Sequence, residues 1–154
     1  MNNEKLYKSS DLANIDAKNY IETLAESLMR SYKTDKEIRL EVECSSNIIS
    51  IDTLMPLGLI LNEFISNSLK YAFVNKEEGK ILIRLEKQKN NSYTMIVCDD
   101  GEGLPDTFSW QNSTTLGIEL IKTLVGQIRG TIEKIDEPGT CFKIMFEDKN
   151  KGED

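Results

Sequence analysis

The sequence predicts an α/β (α+β) two-layer sandwich, with a mixed, mostly antiparallel sheet and helices on one face. Three observations predict it. Apolar residues recur at helical spacing in three stretches, about 16–32, 53–73 and 115–128. Between them lie short runs of period-two or apolar character, bounded by turn residues. The resulting order, α-β-β-α-β-β-loop-α-β-β, keeps strands in sequential pairs and gives each pair a helix to cover it. With 154 residues, one domain with a proper core is expected.

Residues 1 to about 13 are polar and unpatterned. From Asp16 to Tyr32, the residues Ile21, Leu24, Ala25, Leu28, Met29 and Tyr32 form a helical apolar stripe, with Asp16 as N-cap. KTDKE is a turn. IRLEVEC (38–44) alternates, and NIISI (47–51) is expected as its hairpin partner. Asp52 or Thr53 can cap the next helix, with Pro56 in its first turn, where proline is tolerated. That helix is expected to run to about Phe73 with Leu57, Ile60, Leu61, Phe64, Ile65, Leu69 and Ala72 toward the core. KILIRLEKQ (80–88) and SYTMIVCD (92–99) form strands around a turn at Asn90–Asn91. Residues 101–114 are glycine-bearing and polar, and a loop of this length within a compact domain is usually functional; Trp110 within it has no evident role. A last helix from Thr115 to about Ile128 ends near Gly130. GTIEKID and TCFKIMF close the sheet around Glu137–Pro138–Gly139, and DKNKGED is a charged, frayed tail.

The stretch LILNEFISNSLKYAF carries four polar residues on an otherwise apolar helix: Glu63, Asn67, Lys70 and Tyr71. At about 100° per residue they share one arc of roughly 100°. The Asn67 carboxamide offers a neutral oxygen suited to Mg²⁺, which keeps several waters and takes its other ligands from phosphates. Glu63, one turn earlier, can hold a metal-bound water or accept a proton. Lys70 can reach a phosphate as a point charge, and Tyr71 can pack on a base or ribose. The same stripe would also serve as a solvated helix face. Thirty residues on, CDDGEGLP ends a strand in a carboxylate, Asp99, followed by Gly101 and Gly103, which let backbone approach a flat ligand. Asp99 can accept from an exocyclic amine such as that of adenine. TTLGIEL (114–120) supplies a helix N-terminus with unpaired N–H groups suited to phosphate, and Gly117 permits close approach. Each piece alone is weak; in this order and spacing they point to a nucleotide site.

Composition sets limits. Apolar residues make up 39% and charged residues 29%, and the net charge is −7. An acidic chain disfavours a nucleic-acid partner, whose phosphates need a basic surface. The chain has no histidine, which removes histidine-based acid–base chemistry, histidine metal sites and any phosphohistidine within it. Cys44, Cys98 and Cys141 are far apart in sequence and are expected as buried, reduced thiols. No apolar stretch approaches the ~20 residues of a membrane span. A cytoplasmic location and no membrane contact are therefore expected.

On these motifs the sequence resembles the catalytic ATP-binding domain of sensor histidine kinases, part of the gyrase, chaperone and mismatch-repair ATPase superfamily (the Bergerat fold). NEFISNSLKYAF is similar to the N box, VCDDGEGLP to the first glycine box, LGIELIKTLVGQIRGTI to the second, and GTCFKIMF to the closing strand. The likeness covers about residues 36–147. It implies ATP and Mg²⁺ as cofactors, with Asn67 as the metal ligand and Glu63 at the position of the general base of hydrolysing members. It implies Lys70 toward phosphate and Tyr71 bordering the adenine. Asp99 would bind the adenine amine beside Gly101 and Gly103. Thr115, Leu116 and Gly117 would form the phosphate side, and Thr140 would assist the adenine carboxylate through water. Glu63 fits a subfamily whose N box reads N-E-L-x-x-N-A-x-K-Y. Ser68 departs from its usual alanine, and the second glycine box keeps only Gly117.

The resemblance divides the chain into a lead-in (1–34) like the end of a dimerisation and phosphoacceptor region, a catalytic domain (35–147) and a tail (148–154). It implies transfer of the ATP γ-phosphate to a histidine on a helix outside this chain, and a response regulator as an indirect partner. The rival readings are a stand-alone serine kinase of the anti-sigma-factor type, and a non-catalytic nucleotide-binding adaptor.

Overall fold

The computed structural model describes residues 14–32, 34–45, 47–102, 116–135 and 139–148. Its elements are β1 (Asn14–Asp16), α1 (Ala17–Ser31), β2 (Glu37–Cys44), β3 (Ile48–Ser50), α2 (Ile51–Asn67), a π-helical turn (Ser68–Ala72), β4 (Glu78–Lys87), β5 (Ser92–Asp99), α3 (Leu116–Gln127), β6 (Thr131–Lys134) and β7 (Thr140–Glu147). Five strands make the main sheet in the order β2-β4-β5-β7-β6. The β2–β4 pair is parallel and the other three pairs are antiparallel. This is the mixed, mostly antiparallel sheet that the sequence predicts.

Alternation within the strands decides which face the helices cover. Ile81, Ile83 and Leu85 of β4, Tyr93, Met95 and Val97 of β5, and Phe142, Ile144 and Phe146 of β7 are all buried. They share one core with Ile21 and Ala25 of α1, Leu57, Ile60, Leu61 and Phe64 of α2, and Ile121, Leu124 and Val125 of α3. The Phe64 and Phe142 rings lie 4.9 Å apart, tilted by 32°, so α2 is seated directly on β7. Edge-tilted ring pairs of this kind add to the area they bury.

Several local expectations hold. Asp16 caps α1, its carboxylate accepting from the Lys18 N–H at 3.2 Å. Asn90 and Asn91 have φ of 54° and 44°, the doubly left-handed pair of a tight hairpin, which asparagine tolerates.

Others are corrected. NIISI does not pair with β2; residues 48–50 pair antiparallel with β1 as a separate two-stranded sheet, while β2 runs parallel to β4. An alternating pattern fixes a strand's buried face and leaves its partner open. Ser50, not Asp52 or Thr53, is the N-cap residue of α2, so Pro56 falls in the second turn. Helix α2 stops at Asn67 and gives way to the π turn, so the continuous α-helix to Phe73 is corrected as well. The left-handed residue after α3 is Arg129, with φ of 55°. Gly130 is required instead because a Cβ there would come within 2.6 Å of the Met145 carbonyl oxygen.

The tail expectation is corrected at its first residue. Asp148 is fully buried. Its carboxylate accepts from the Ser50 N–H at 2.9 Å, the Ser50 hydroxyl at 2.7 Å and the Thr53 hydroxyl at 2.8 Å. A residue following the last strand therefore caps α2 from 98 positions away.

The cysteines divide. Cys98 and Cys141 stand opposite one another in the β5–β7 register, Cα atoms 4.1 Å apart, with their sulfurs in contact. Strand register makes neighbours of these two residues although they lie 43 apart in sequence. Cys44 remains a free thiol. Burial first, then the Asp16 and Glu22 carboxylates, push it up to about 11 against a smaller opposing effect of Lys18. The folded chain thus holds this proton longer than the unfolded chain, and stability falls as pH rises from the ordinary thiol value toward 11. Iodoacetamide should modify Cys44 at pH 8 about a hundredfold more slowly than an ordinary thiol, accelerating about tenfold per pH unit. Mass spectrometry of quenched samples checks this; a flat rate between pH 8 and 10 would contradict it.

Candidate functional site

The C-terminal end of α2, the π turn, the end of β5, the start of β7 and the start of α3 converge at one edge of the helix-covered face. Asp99 is the last residue of β5. Inward alternation places it on the same face as Met95 and Val97, and it is only 5% exposed. Its carboxylate is held from three sides. Oδ1 accepts from the Gly101 N–H at 3.0 Å and the Thr140 N–H at 3.3 Å. Oδ2 accepts from the Ser68 hydroxyl at 2.6 Å, the short distance of a charge-assisted bond. Thr140 reaches this position because it is the register partner of Asp99.

The glycines bring the remaining pieces into contact. A Cβ on Gly101 would lie 2.3 Å from the Ala72 carbonyl oxygen, and the Glu102 N–H donates to that same oxygen at 2.9 Å. The loop after β5 is thereby fastened to the last residue of the π turn. A Cβ on Gly117 would lie 2.8 Å from Glu63 Oε1 and 3.8 Å from the Asn67 amide nitrogen. The first turn of α3 therefore rests on Glu63 and Asn67, both half-buried. The turn after β5 is braced from outside: the Asp100 carboxylate accepts from the Lys80 N–H at 2.7 Å and its carbonyl from Lys76 Nζ at 2.7 Å.

The structure thus brings together Glu63, Asn67, Gly117, Asp99, Gly101 and Thr140. It does not keep the four-residue stripe in one α-helical arc. The π turn winds with i→i+5 bonds and turns less per residue, which re-phases Lys70 and Tyr71 relative to Glu63 and Asn67. Both are exposed, Tyr71 by 68%. Among the described residues neither makes a side-chain hydrogen bond or ion pair to the cluster. Gly103, Thr115 and Trp110 lie outside the described residues, as does the Leu116 side chain; the Leu116 backbone begins α3. Ser68, which sequence reasoning treated only as a departure from alanine, is an integral part of the site. Its signal was present in the sequence, as a hydroxyl next to Asn67 on a helix otherwise facing the core.

Among the described residues no group of three or more acidic or cysteine side chains could hold a metal ion unaided. Asn67 and Glu63 offer two oxygen-bearing side chains side by side. That donor set fits Mg²⁺, which prefers oxygen and takes few protein ligands when phosphates supply the rest.

Residues 52–150 match the family model described as histidine kinase-, DNA gyrase B- and HSP90-like ATPase. The chain is 26% identical over 122 residues to blue-light-activated histidine kinase 2 of Erythrobacter litoralis, covering 73% of this chain and 35% of that protein. It is 30% identical over 114 residues to the sensor histidine kinase PdtaS of Mycolicibacterium smegmatis, covering 73% of this chain and 23% of that one. The chain thus spans only 35% and 23% of these relatives' length. Among solved structures, the histidine kinase domain of the Erythrobacter litoralis EL346 blue-light-activated kinase superposes with a TM-score of 0.77 at 22% identity, over 89% of this chain and 63% of that one. The mycobacterial sensor histidine kinase MprB superposes with a TM-score of 0.66 at 19% identity, over 87% and 97%. No helix among the described residues is long and apolar enough to cross a membrane.

Proposed function

The chain belongs to the histidine kinase-, DNA gyrase B- and HSP90-like ATPase family, and we propose that it binds Mg·ATP at the converged cluster and passes the γ-phosphoryl group to a histidine supplied from outside it. The observation that carries this reading is the seating of Gly117 on Glu63 and Asn67. It brings the N-terminal turn of α3, where a helix leaves N–H groups without an intrahelical partner, against the side chains suited to a metal. Asp99, at the other end of the cluster, receives the exocyclic amine of adenine. Asn67 holds the metal through its carboxamide oxygen. Mg²⁺, when bound, neutralises phosphate charge and fixes the phosphate geometry. Glu63, beside Asn67, accepts a proton or orients the ligand shell. Lys70 and Tyr71, exposed on the π turn, are free to close on phosphate and base, and Thr140 supports Asp99.

Phosphoryl transfer depends mainly on positioning and charge neutralisation, so the domain needs an acceptor helix docked against the open side of the cluster. With no histidine in the chain, the imidazole nucleophile comes from that partner: its ring nitrogen forms the bond to phosphorus as the bond to the ADP oxygen breaks. The histidine-kinase relatives support this reading over the serine-kinase and adaptor alternatives.

The chain should transfer label from γ-labelled ATP to a purified histidine-bearing helical segment added in trans, giving acid-labile, base-stable phosphate. Asn67→Ala should weaken Mg·ATP binding about tenfold or more, roughly 1.4 kcal/mol, as read by calorimetry with and without EDTA. Acid-stable label on serine would favour the rival kinase. Nucleotide binding without transfer to any acceptor would favour the adaptor. Unchanged affinity in Asn67→Ala would remove the metal assignment.

A further inference from the structure

We infer that Ser68 is a positioning and specificity-determining residue, setting the Asp99 carboxylate to recognise a 6-amino over a 6-keto purine. The inference rests on the reading of Asp99 as the base-recognising group and goes beyond it.

A carboxylate oxygen accepts about two hydrogen bonds and donates none. Oδ1 of Asp99 already accepts two backbone N–H groups, from Gly101 and Thr140. Oδ2 accepts one bond, from the Ser68 hydroxyl at 2.6 Å. Among the described donors, one acceptor position is therefore left, on Oδ2. The proton in the Ser68–Asp99 bond belongs to Ser68, so the hydroxyl shows its neighbours only lone pairs. The two oxygens form an edge that accepts and does not donate. An exocyclic amine satisfies such an edge, whereas a carbonyl oxygen meets lone pairs and leaves a buried acceptor unpaired.

Ser68 also fixes the direction of that edge. With both oxygens held, the carboxylate is fixed against rotation about Cβ–Cγ. Without Ser68 it is held through Oδ1 alone, and Oδ2 can turn away or take up a water in place of the amine. The backbone favours the contact, since Ser68 opens the π turn where α2 ends, and π turns recur at functional positions. An alanine here would fill the same space without a donor.

The test compares ATP with inosine triphosphate, which carries a carbonyl in place of the 6-amine and a hydrogen on N1. Affinities of the whole chain for both are measured by calorimetry in wild type, Ser68→Ala and Asp99→Asn, with unfolding followed in parallel. Wild type should prefer ATP. Ser68→Ala should shrink that preference by about tenfold, the loss of one well-formed hydrogen bond, with ATP weakened more than inosine triphosphate. Asp99→Asn, whose amide can donate to a carbonyl, should erase or invert the preference. If Ser68→Ala weakens both nucleotides by the same factor while Asp99→Asn still erases the preference, Ser68 is only structural and the inference is overturned. If Asp99→Asn leaves the preference intact, the base is not recognised at Asp99, and the site reading fails together with the inference.

Discussion

Asp148→Ala should lower the unfolding free energy by about 3 kcal/mol, close to the upper range for a single substitution. The carboxylate is fully buried and accepts three hydrogen bonds, from the Ser50 N–H and from the Ser50 and Thr53 hydroxyls. Each bond to a charged acceptor is worth about 1.5–3 kcal/mol. Their loss also leaves donors at the start of α2 unsatisfied, and removes a negative charge from the positive end of the helix dipole. For a chain of this size the midpoint of thermal unfolding should fall by about 6–12 °C. Urea titration should show a lower midpoint with an unchanged slope. Asp148→Asn should be intermediate: its amide oxygen can still accept from hydroxyls, while its amide nitrogen would face the Ser50 N–H. The cap acts at Ser50, and the cluster begins at Glu63, at the opposite end of α2 and roughly 20 Å away at 1.5 Å per residue. Nucleotide affinity should therefore be unchanged at temperatures where the variant is folded. A midpoint shift under 2 °C, or a loss of affinity in the folded variant, would contradict this account.

That contact illustrates where sequence reasoning stops. The sandwich was legible because burial imposes period two on β4, β5 and β7 and a helical stripe on α1, α2 and α3, and both signals are local. The cluster was legible in part for the same reason: Asn67 and Glu63 share a helix face, and Asp99 ends a strand whose inward positions can be counted. What lay outside the local pattern was pairing. Nothing in NIISI distinguishes β2 from β1 as its partner. Nothing in DKNKGED marks Asp148 as the buried cap of a helix begun 98 residues earlier. Cys98 and Cys141 become neighbours only once the β5–β7 register is known. The π turn was missed for another reason. Ser68–Ala72 carries no glycine or proline to announce a change of winding, so a uniform 100° per residue was the natural assumption for Lys70 and Tyr71. Ser68 shows the cost of reading residues singly: its hydroxyl has little meaning until Asp99 is placed 2.6 Å away.

Gly139→Ala should damage the site more than its distance in sequence suggests. Gly139 has φ of +82°, and a Cβ there would sit 2.1 Å from the Asp99 carbonyl oxygen and 3.0 Å from the Asp100 Cα. The left-handed backbone alone costs an alanine about 1–2 kcal/mol. The contacts are with backbone, which cannot swing aside as a flexible side chain would. Relief requires the start of β7 to move away from the end of β5, and the first bond at risk is the one from the Thr140 N–H to Asp99 Oδ1, already 3.3 Å long. The expected result is a stability loss of about 2–4 kcal/mol, with ATP affinity reduced at least about tenfold because Asp99 loses one of its two backbone donors. Gly126→Ala provides the contrast. Gly126 lies within α3, and a Cβ there meets nothing within 4 Å, so alanine should stabilise the chain by about 0.5–1 kcal/mol through helix propensity and leave affinity untouched. Denaturant midpoints and ATP titrations on the two variants separate a glycine needed for geometry from one that is not. Equal effects at the two positions would mean that the close approach of Gly139 to Asp99 does not govern the site.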